Sequence, residues 1–321
     1  MIYANILQLI GKTPIIRLQS VGKTLDSIIY AKVESYNPGG SLKDRPALYM
    51  IEQAEQEGIL GPGYTIIESS SGNMGVSLAL IGGVKGYRVI CVVDPKTPEH
   101  SVLAMKAFGA EIVMVDTPDA SGSYQKNRIA RVRDIAKTIR NSFVPNQYSN
   151  PNNPLSHSKT TAREIINDLH GNIDFLVSSV STGGHITGIA TTLKRELPHV
   201  KIIGVEPEGS VVFGGEAKPY LQTGTGLSFV PDNINLSLVD DHFKVSDNDA
   251  FSMTKRLMRE EGLMVGISSG AVVHVALKVA GMNSKKSIVC ILPDDGEKYL
   301  KNLLEMVQPY ENRQGYMKDI V

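Results

Sequence analysis

Short apolar, β-branched runs recur along the chain, and between them lie longer stretches in which apolar residues return every three or four positions. The first pattern predicts strands at 28–35, 64–69, 87–93, 110–115, 174–180, 200–206 and 287–293. The second predicts helices near 43–57, 73–83, 98–108, 120–138, 154–169, 185–196, 248–261 and 269–281. Strand–helix alternation implies an α/β architecture with parallel sheets covered by helices, because a parallel strand pair needs a crossover between its members. Right-handed crossovers collect the loops that follow the strands at one sheet edge, where ligands bind. The stretch from Gly209 to Asn235 is rich in Gly, Ser, Pro and Thr and has little periodicity. It is long for a plain connection, so it reads as functional or mobile. The final NRQGYMKDIV reads as a polar tail or a partner-contacting end.

The 321 residues fit one large or two medium α/β domains. A hydrophobic fraction of 42% and a charged fraction of 21% are those of an ordinary globular chain. Lys plus Arg equals Asp plus Glu at 33 each, which gives no reason to expect a nucleic acid or an anionic membrane as partner. No apolar run approaches the length of a membrane span, and the N-terminus, MIYANILQLIGKTP, lacks the basic start and apolar stretch of a signal peptide. A cytoplasmic location is the expectation. Cys91 and Cys290 sit in apolar runs and read as buried, reduced thiols; two cysteines exclude a disulfide scaffold, and no cluster of metal ligands is seen.

Four glycine- and hydroxyl-rich segments, each at the start of a helix, carry the candidate chemistry. In Asn37-Pro38-Gly39-Gly40-Ser41-Leu42-Lys43-Asp44-Arg45, a turn ends a strand, Ser41 can cap a helix and Lys43 falls in its first turn. The electropositive helix start favours a neutral amine there, which suits a nucleophilic lysine. Ser69-Ser70-Ser71-Gly72-Asn73-Met74-Gly75 opens a second helix, either as an anion-binding N-terminus or as a glycine-softened cap. Ser181-Thr182-Gly183-Gly184-His185 has the look of a phosphate cradle, but lacks the Gly-Lys-Ser/Thr ending of a nucleoside-triphosphate loop. His185 reads either as a ligand or as a cap or surface residue. In Gly266-Ile267-Ser268-Ser269-Gly270-Ala271 the hydroxyls can cap a helix or bond a ring nitrogen.

Taken together and in this order, the four segments resemble the fold type II pyridoxal-phosphate enzymes, the cysteine synthase and cystathionine β-synthase family. The resemblance runs from Ile10-Gly11-Lys12-Thr13-Pro14 to Leu292-Pro293-Asp294-Asp295-Gly296-Glu297-Lys298-Tyr299-Leu300. It implies a tryptophan synthase β-like fold: two open, twisted, mostly parallel sheets flanked by helices. It also implies a large cofactor domain of residues 1–36 and 148–321 and a small mobile substrate domain of residues 37–147. Pyridoxal 5′-phosphate would be held covalently by Lys43. Asn73 would bond its phenolic oxygen, Ser181, Thr182, Gly183, Gly184 and His185 its phosphate, and Ser268 its ring nitrogen. Ser70, Ser71, Gly72 and Gln147 would take the substrate carboxylate, and Lys43 would move the α-proton. The implied reaction is β-replacement on a serine-type amino acid through an aminoacrylate, in a homodimer that takes small amino-acid substrates.

Departures from the usual cysteine synthase pattern refine this expectation. They are the loop from Val93 through Asp94, Pro95 and Lys96 to His100, His185 and Ser181 in the cradle, and Lys12. With Asn146-Gln147-Tyr148, Ser210 to Gly214 and Arg313 to Gly315, they resemble the branch that makes N-(2-amino-2-carboxyethyl)-L-glutamate for 2,3-diaminopropionate and siderophore assembly. That branch joins O-phospho-L-serine and L-glutamate. A phosphate suits a guanidinium, and Arg128, with Tyr148 and Ser181, matches the branch's candidate; the alternative is a solvated arginine like Arg131 and Arg133. Asp232 is a second catalytic candidate, a base for an incoming amine or water, or else a turn aspartate after Pro231. Cysteine synthase, cysteine hydroxyl-lyase, cystathionine β-synthase and a non-catalytic binding subunit are the competing functions.

Overall fold

The computed structural model describes residues 2–119, 122–300 and 303. In chain order the elements are β1 (Ile15–Arg17), β2 (Ile28–Val33), α1 (Asp44–Gln56), β3 (Thr65–Ser69), α2 (Asn73–Lys85), β4 (Arg88–Val93), α3 (Glu99–Ala107), β5 (Glu111–Met114), α4 (Gln125–Thr138) and β6 (Ser142–Phe143). They continue with α5 (Asn152–Lys159), α6 (Thr161–Asp168), β7 (Phe175–Ser179), α7 (Gly184–Glu196), β8 (Lys201–Pro207), β9 (Asp241–Val245), α8 (Asp247–Glu261), α9 (Ile267–Met282) and β10 (Ser287–Leu292). The polar tail and the Arg313 to Gly315 motif lie outside the described residues, as does the 120–121 start of the expected fourth helix.

Two sheets form, one of six strands in the order β1-β2-β10-β7-β8-β9 and one of four in the order β5-β4-β3-β6. All pairings are parallel except β1 with β2, as the strand–helix alternation implies. The seven expected strands are all present. The three that pattern reading missed are edges. β1 and β6 are too short to show a period, and β9, with the sequence DHFKV, exposes most of its side chains, so burial imposes little pattern on it. The central strands β3 and β10 are buried at every position, which is why β10 reads as an almost continuous apolar run, while β3 buries Glu68 among its apolar residues.

The helix expected over 154–169 is two helices. Thr160 leaves helical geometry at φ −117° and ψ −78°, and its hydroxyl donates to Ser156 O at 2.8 Å. A threonine bonding back to the preceding turn competes with the helix and bends it. At α1 the first helical residue is Asp44, so Lys43 stands at the cap position itself. Ser41 Oγ accepts from Lys43 N at 3.2 Å, which turns the chain into the helix just ahead of the lysine.

A buried ion network ties α1 to the large sheet. Arg45 pairs with Glu34 at 2.7 Å and with Glu164 of α6 at 2.6 Å, and Lys32 of β2 pairs with Glu164 at 2.8 Å. Burial alone would raise the Glu164 carboxyl, but the bonds and charges of Arg45 and Lys32 outweigh it and hold it at about 2. Removing one member strands a buried charge. Arg45→Met is therefore expected to lose about 3–5 kcal/mol of unfolding free energy. Urea denaturation at neutral pH measures this, and a loss under about 1 kcal/mol would remove the network from its structural role.

Candidate active site between the two sheets

A cleft of about 850 Å³ opens where the C-terminal ends of β3, β4 and β7 meet the start of α1. It is lined by Lys43, by Ser70, Ser71, Gly72 and Asn73 from the loop into α2, by Arg128 of α4, by Gln147 and Tyr148, and by Ser181 and Thr182. Ten of the sequence candidates thus converge on one space from five separate segments. Gly183, Gly184, His185 and Ser268 do not line it. The first three are buried in the turn and first turn of α7, and Ser268 is buried on the first turn of α9.

Asp232 departs from its expected place. It is exposed and does not line the cleft. Its neighbour Asn233 is the residue drawn inward: Asn233 N donates to Tyr148 O at 3.1 Å and Asn233 Nδ2 to Gln147 O at 2.9 Å. Asp232 and Asn233 are the central residues of a turn closed by Ile234 N donating to Pro231 O at 3.2 Å, and with Asn233 anchored inward Asp232 is left to solvent.

The Lys43 amine lies in a poorly hydrated setting. Burial pushes it down to about 8, against a smaller upward pull from the Asp294 charge. Asp294 is itself buried, and burial raises its carboxyl. Its Oδ2 accepts from Asn73 Nδ2 at 2.7 Å and from the Tyr299 hydroxyl at 2.6 Å. On the facing wall Ser70 Oγ accepts from Gly75 N at 2.9 Å and caps α2, the role its hydroxyl suggested. Gln147 is pinned through Nε2 to Ser69 O at 3.1 Å, while its carbonyl accepts from Asn153 at 2.7 Å.

The turn into α7 admits only glycine. Gly183 sits at φ 79°, a Cβ there would fall 2.7 Å from Ile234 N, and a Cβ on Gly184 would collide with the Asn153 amide. No side chain caps α7, so the N–H groups of its first turn stay available to an anion. His185 below is held neutral, its imidazole pushed down to about 3 by burial and then by the Lys43 charge. Its ring meets that of His157 edge-on at 6.0 Å.

Arg128 is buried at 2% exposure, far from the solvated alternative. Its Nε lies 3.1 Å from Asp94 Oδ2, while its Nη1 has no hydrogen-bond partner. Underneath is Glu68, whose carboxylate accepts from Ser69 N at 2.8 Å and Gln147 N at 3.2 Å, and which burial raises to about 7. Glu68, Asn153, His157 and Lys298 were not singled out in the sequence. A carboxylate inside the otherwise apolar run YTIIES was the one available signal for Glu68. Among the described residues no group of His, Cys, Asp and Glu could hold a metal ion, and no helix is long and apolar enough to cross a membrane. Cys91 and Cys290 are free and buried, and burial raises both thiols, Cys91 to about 12.

Comparison with known proteins agrees with this geometry. Residues 6–294 match the family described as pyridoxal-phosphate dependent enzyme. A cysteine synthase of Staphylococcus aureus is 39% identical over 94% of this chain and 96% of its own length. A hydrogen sulfide-producing enzyme of Fusobacterium nucleatum superposes with a TM-score of 0.89 at 37% identity, over 93% of this chain and all of its own. A lysine-to-alanine variant of O-ureido-L-serine synthase with O-ureido-L-serine bound superposes with a TM-score of 0.90 at 34% identity, over 98% of this chain and 97% of its own.

The Lys43 shift has a direct consequence for stability. Unfolded, the amine has its ordinary value of 10.5; folded, it releases its proton near 8. Below about 8 it is charged in both states, and the folded chain carries the full cost of the buried charge. As pH rises from about 8 to 10.5 the folded chain sheds the proton first, and the cost disappears. In cofactor-free protein Lys43→Met is therefore expected to be the more stable form at pH 7, with the advantage fading through that window. Urea midpoints measured across pH test this, and a pH-independent difference would refute it.

Proposed function

Because the chain belongs to the pyridoxal-phosphate dependent enzymes, in the family that includes cysteine synthases, we propose that it replaces the phosphate of O-phospho-L-serine with the amine of L-glutamate, giving N-(2-amino-2-carboxyethyl)-L-glutamate. The broader activity, β-replacement by a pyridoxal-phosphate dependent transferase, comes with the family. The residues present fit the cofactor: a buried amine that is partly neutral near physiological pH, and a glycine turn with free N–H groups that leaves no room for side chains. Lys43 would hold it, Asn73 and Ser268 would meet its ring, and Ser181 to His185 its phosphate. When bound, the cofactor supplies an electron sink for the α-carbon, which lets a β-substituent leave and another add.

The chain's own residues do the rest. The Lys43 amine carries the α-proton away and returns it, which requires an amine that is not permanently protonated. Ser70, Ser71 and Gly72 offer hydroxyl and N–H donors to the substrate carboxylate, and Gln147 adds an amide. Movement of the segment 37–147 over the carboxylate would exclude water from the reacting β-carbon.

The observation that carries the donor assignment is Arg128, a fully buried guanidinium on the cleft wall whose Nη1 has no partner. A buried guanidinium donor with no acceptor is costly, and a phosphate dianion would supply one. Tyr148 and Ser181 line the same cleft. The acetyl ester of O-acetylserine is uncharged and offers Arg128 only a neutral acceptor, against the dianion of a phosphate. Similarity to the Staphylococcus aureus protein favours a second reading, cysteine synthesis from O-acetylserine and sulfide. By the resemblance, the first reading places the protein in 2,3-diaminopropionate and siderophore biosynthesis as a cytoplasmic homodimer.

Supplying each donor with glutamate or sulfide and identifying products by mass separates the two readings. Arg128→Ala is expected to lower kcat/KM for O-phosphoserine about a hundredfold and that for O-acetylserine less than about threefold. Equal losses would sink the phosphate assignment.

A further inference from the structure

We propose that Lys298 and Asp294 are positioning residues that clamp the Asn73 side-chain amide in one orientation, its oxygen toward Lys298 and its N–H donors toward Asp294 and the cleft. The inference rests on the reading that Asn73 meets the cofactor, and it assigns a role to the Leu292–Leu300 segment that the reaction itself does not use.

An ammonium group can only donate. Lys298 Nζ lies 3.1 Å from Gly39 O, 2.9 Å from Gly40 O and 2.7 Å from Asn73 Oδ1, so each of its three protons has an acceptor. The Asn73 atom that faces it is therefore the oxygen. On the other side a buried carboxylate can only accept, and Asp294 Oδ2 takes one Asn73 Nδ2 proton at 2.7 Å. Tyr299 donates to the same Oδ2 at 2.6 Å and holds the carboxylate in place. Turning the amide over would set its oxygen against a carboxylate and its NH₂ against an ammonium, so both neighbours resist the turn. Of the amide's four hydrogen-bonding positions, Lys298 takes one oxygen lone pair and Asp294 one N–H proton, so the clamp also directs the second N–H, and Asn73 lines the cleft beside Lys43. A donor is what a phenolate oxygen requires. The same Lys298 ammonium grips the Gly39–Gly40 turn that leads into Lys43, so one side chain sets the spacing between the amine and the amide.

The test uses full-length protein and pyridoxal 5′-phosphate itself. Cofactor affinity and the absorption band of the loaded protein are measured for Lys298→Met, Asn73→Ala and the double variant, with melting of the cofactor-free forms as the control for folding. Lys298→Met is expected to weaken cofactor binding about tenfold and to move the band. Adding it to Asn73→Ala should change neither further, and Lys298→Arg, which keeps a charged donor, should restore both. Asp294→Asn keeps an accepting oxygen and approaches the same amide from the other side; it is expected to hold affinity within about threefold. An unaltered Lys298→Met beside an altered Asn73→Ala overturns the clamp alone. So does an effect of Lys298→Met that persists in full without Asn73. An Asn73→Ala protein with unchanged affinity and band overturns the reading that Asn73 meets the cofactor, and the clamp with it.

Discussion

A lysine amine removed from water loses the solvation that keeps it charged, and the molecule is organised around allowing that at Lys43. The amine stands at the junction of the two sheets, at the cap position of α1, where the helix start disfavours a further positive charge. Burial brings it down to about 8. The nearest compensating carboxylate, Asp294, is shared with Asn73 and Tyr299, so its charge is spread over other bonds. A residue this poorly solvated must be held by its surroundings. Two residues further along α1, Arg45 locks into Glu34 and Glu164 and fixes the helix start to the large sheet. The cost of a strained electrostatic site is offset by a buried network whose charges are all matched.

The remaining charges divide the cleft into two halves. Beside the glycine turn before α7 both histidines are neutral. His185 is held at about 3, and His157, edge-on to it, is also pushed well down, by burial and then by the charges of His185, Arg45 and Lys43. An anion there meets backbone N–H groups, free of any competing carboxylate on that turn. On the opposite wall Arg128 pairs with Asp94, and its charge acts on Glu68. Glu68, near 7, is balanced between states by burial on one side and by backbone N–H donors of Ser69, Gln147 and Asn146 and the Arg128 charge on the other. A site with one neutral and one cationic pocket can accept two anionic groups without confusing them. The O-phosphoserine reading requires that separation of cofactor phosphate from substrate phosphate.

How much of this was legible depended on whether the determinant was local. Segments such as YRVICVV and SIVCILP announce their strands because parallel strands covered on both faces must be apolar throughout. Lys43, Asn73 and the Gly183–Gly184 pair were legible because a sharp turn into a helix start needs glycine, hydroxyl and amide residues at fixed spacing. Reading Thr160 as mid-helix failed, since its choice between the helix and a back-bond depends on neighbours in three dimensions. The sequence leaves Asp232 either a base or a turn aspartate, and which of Asp232 and Asn233 turns inward is decided by Tyr148 and Gln147, which lie far from it along the chain.

The amino-acid order by itself determined the strand–helix alternation, the mostly parallel sheets and the loops that begin helices with anion-binding chemistry. These follow from periodicity and turn geometry, which act over a few residues. Only the tertiary structure decided which charges meet. Arg128 became a buried guanidinium with an idle donor because Asp94 and Glu68 came up beneath it, and Lys298 came to hold Asn73 from 225 positions away. Electrostatic character is set by burial and by distances across the fold, and neither is written in the spacing of residues along the chain.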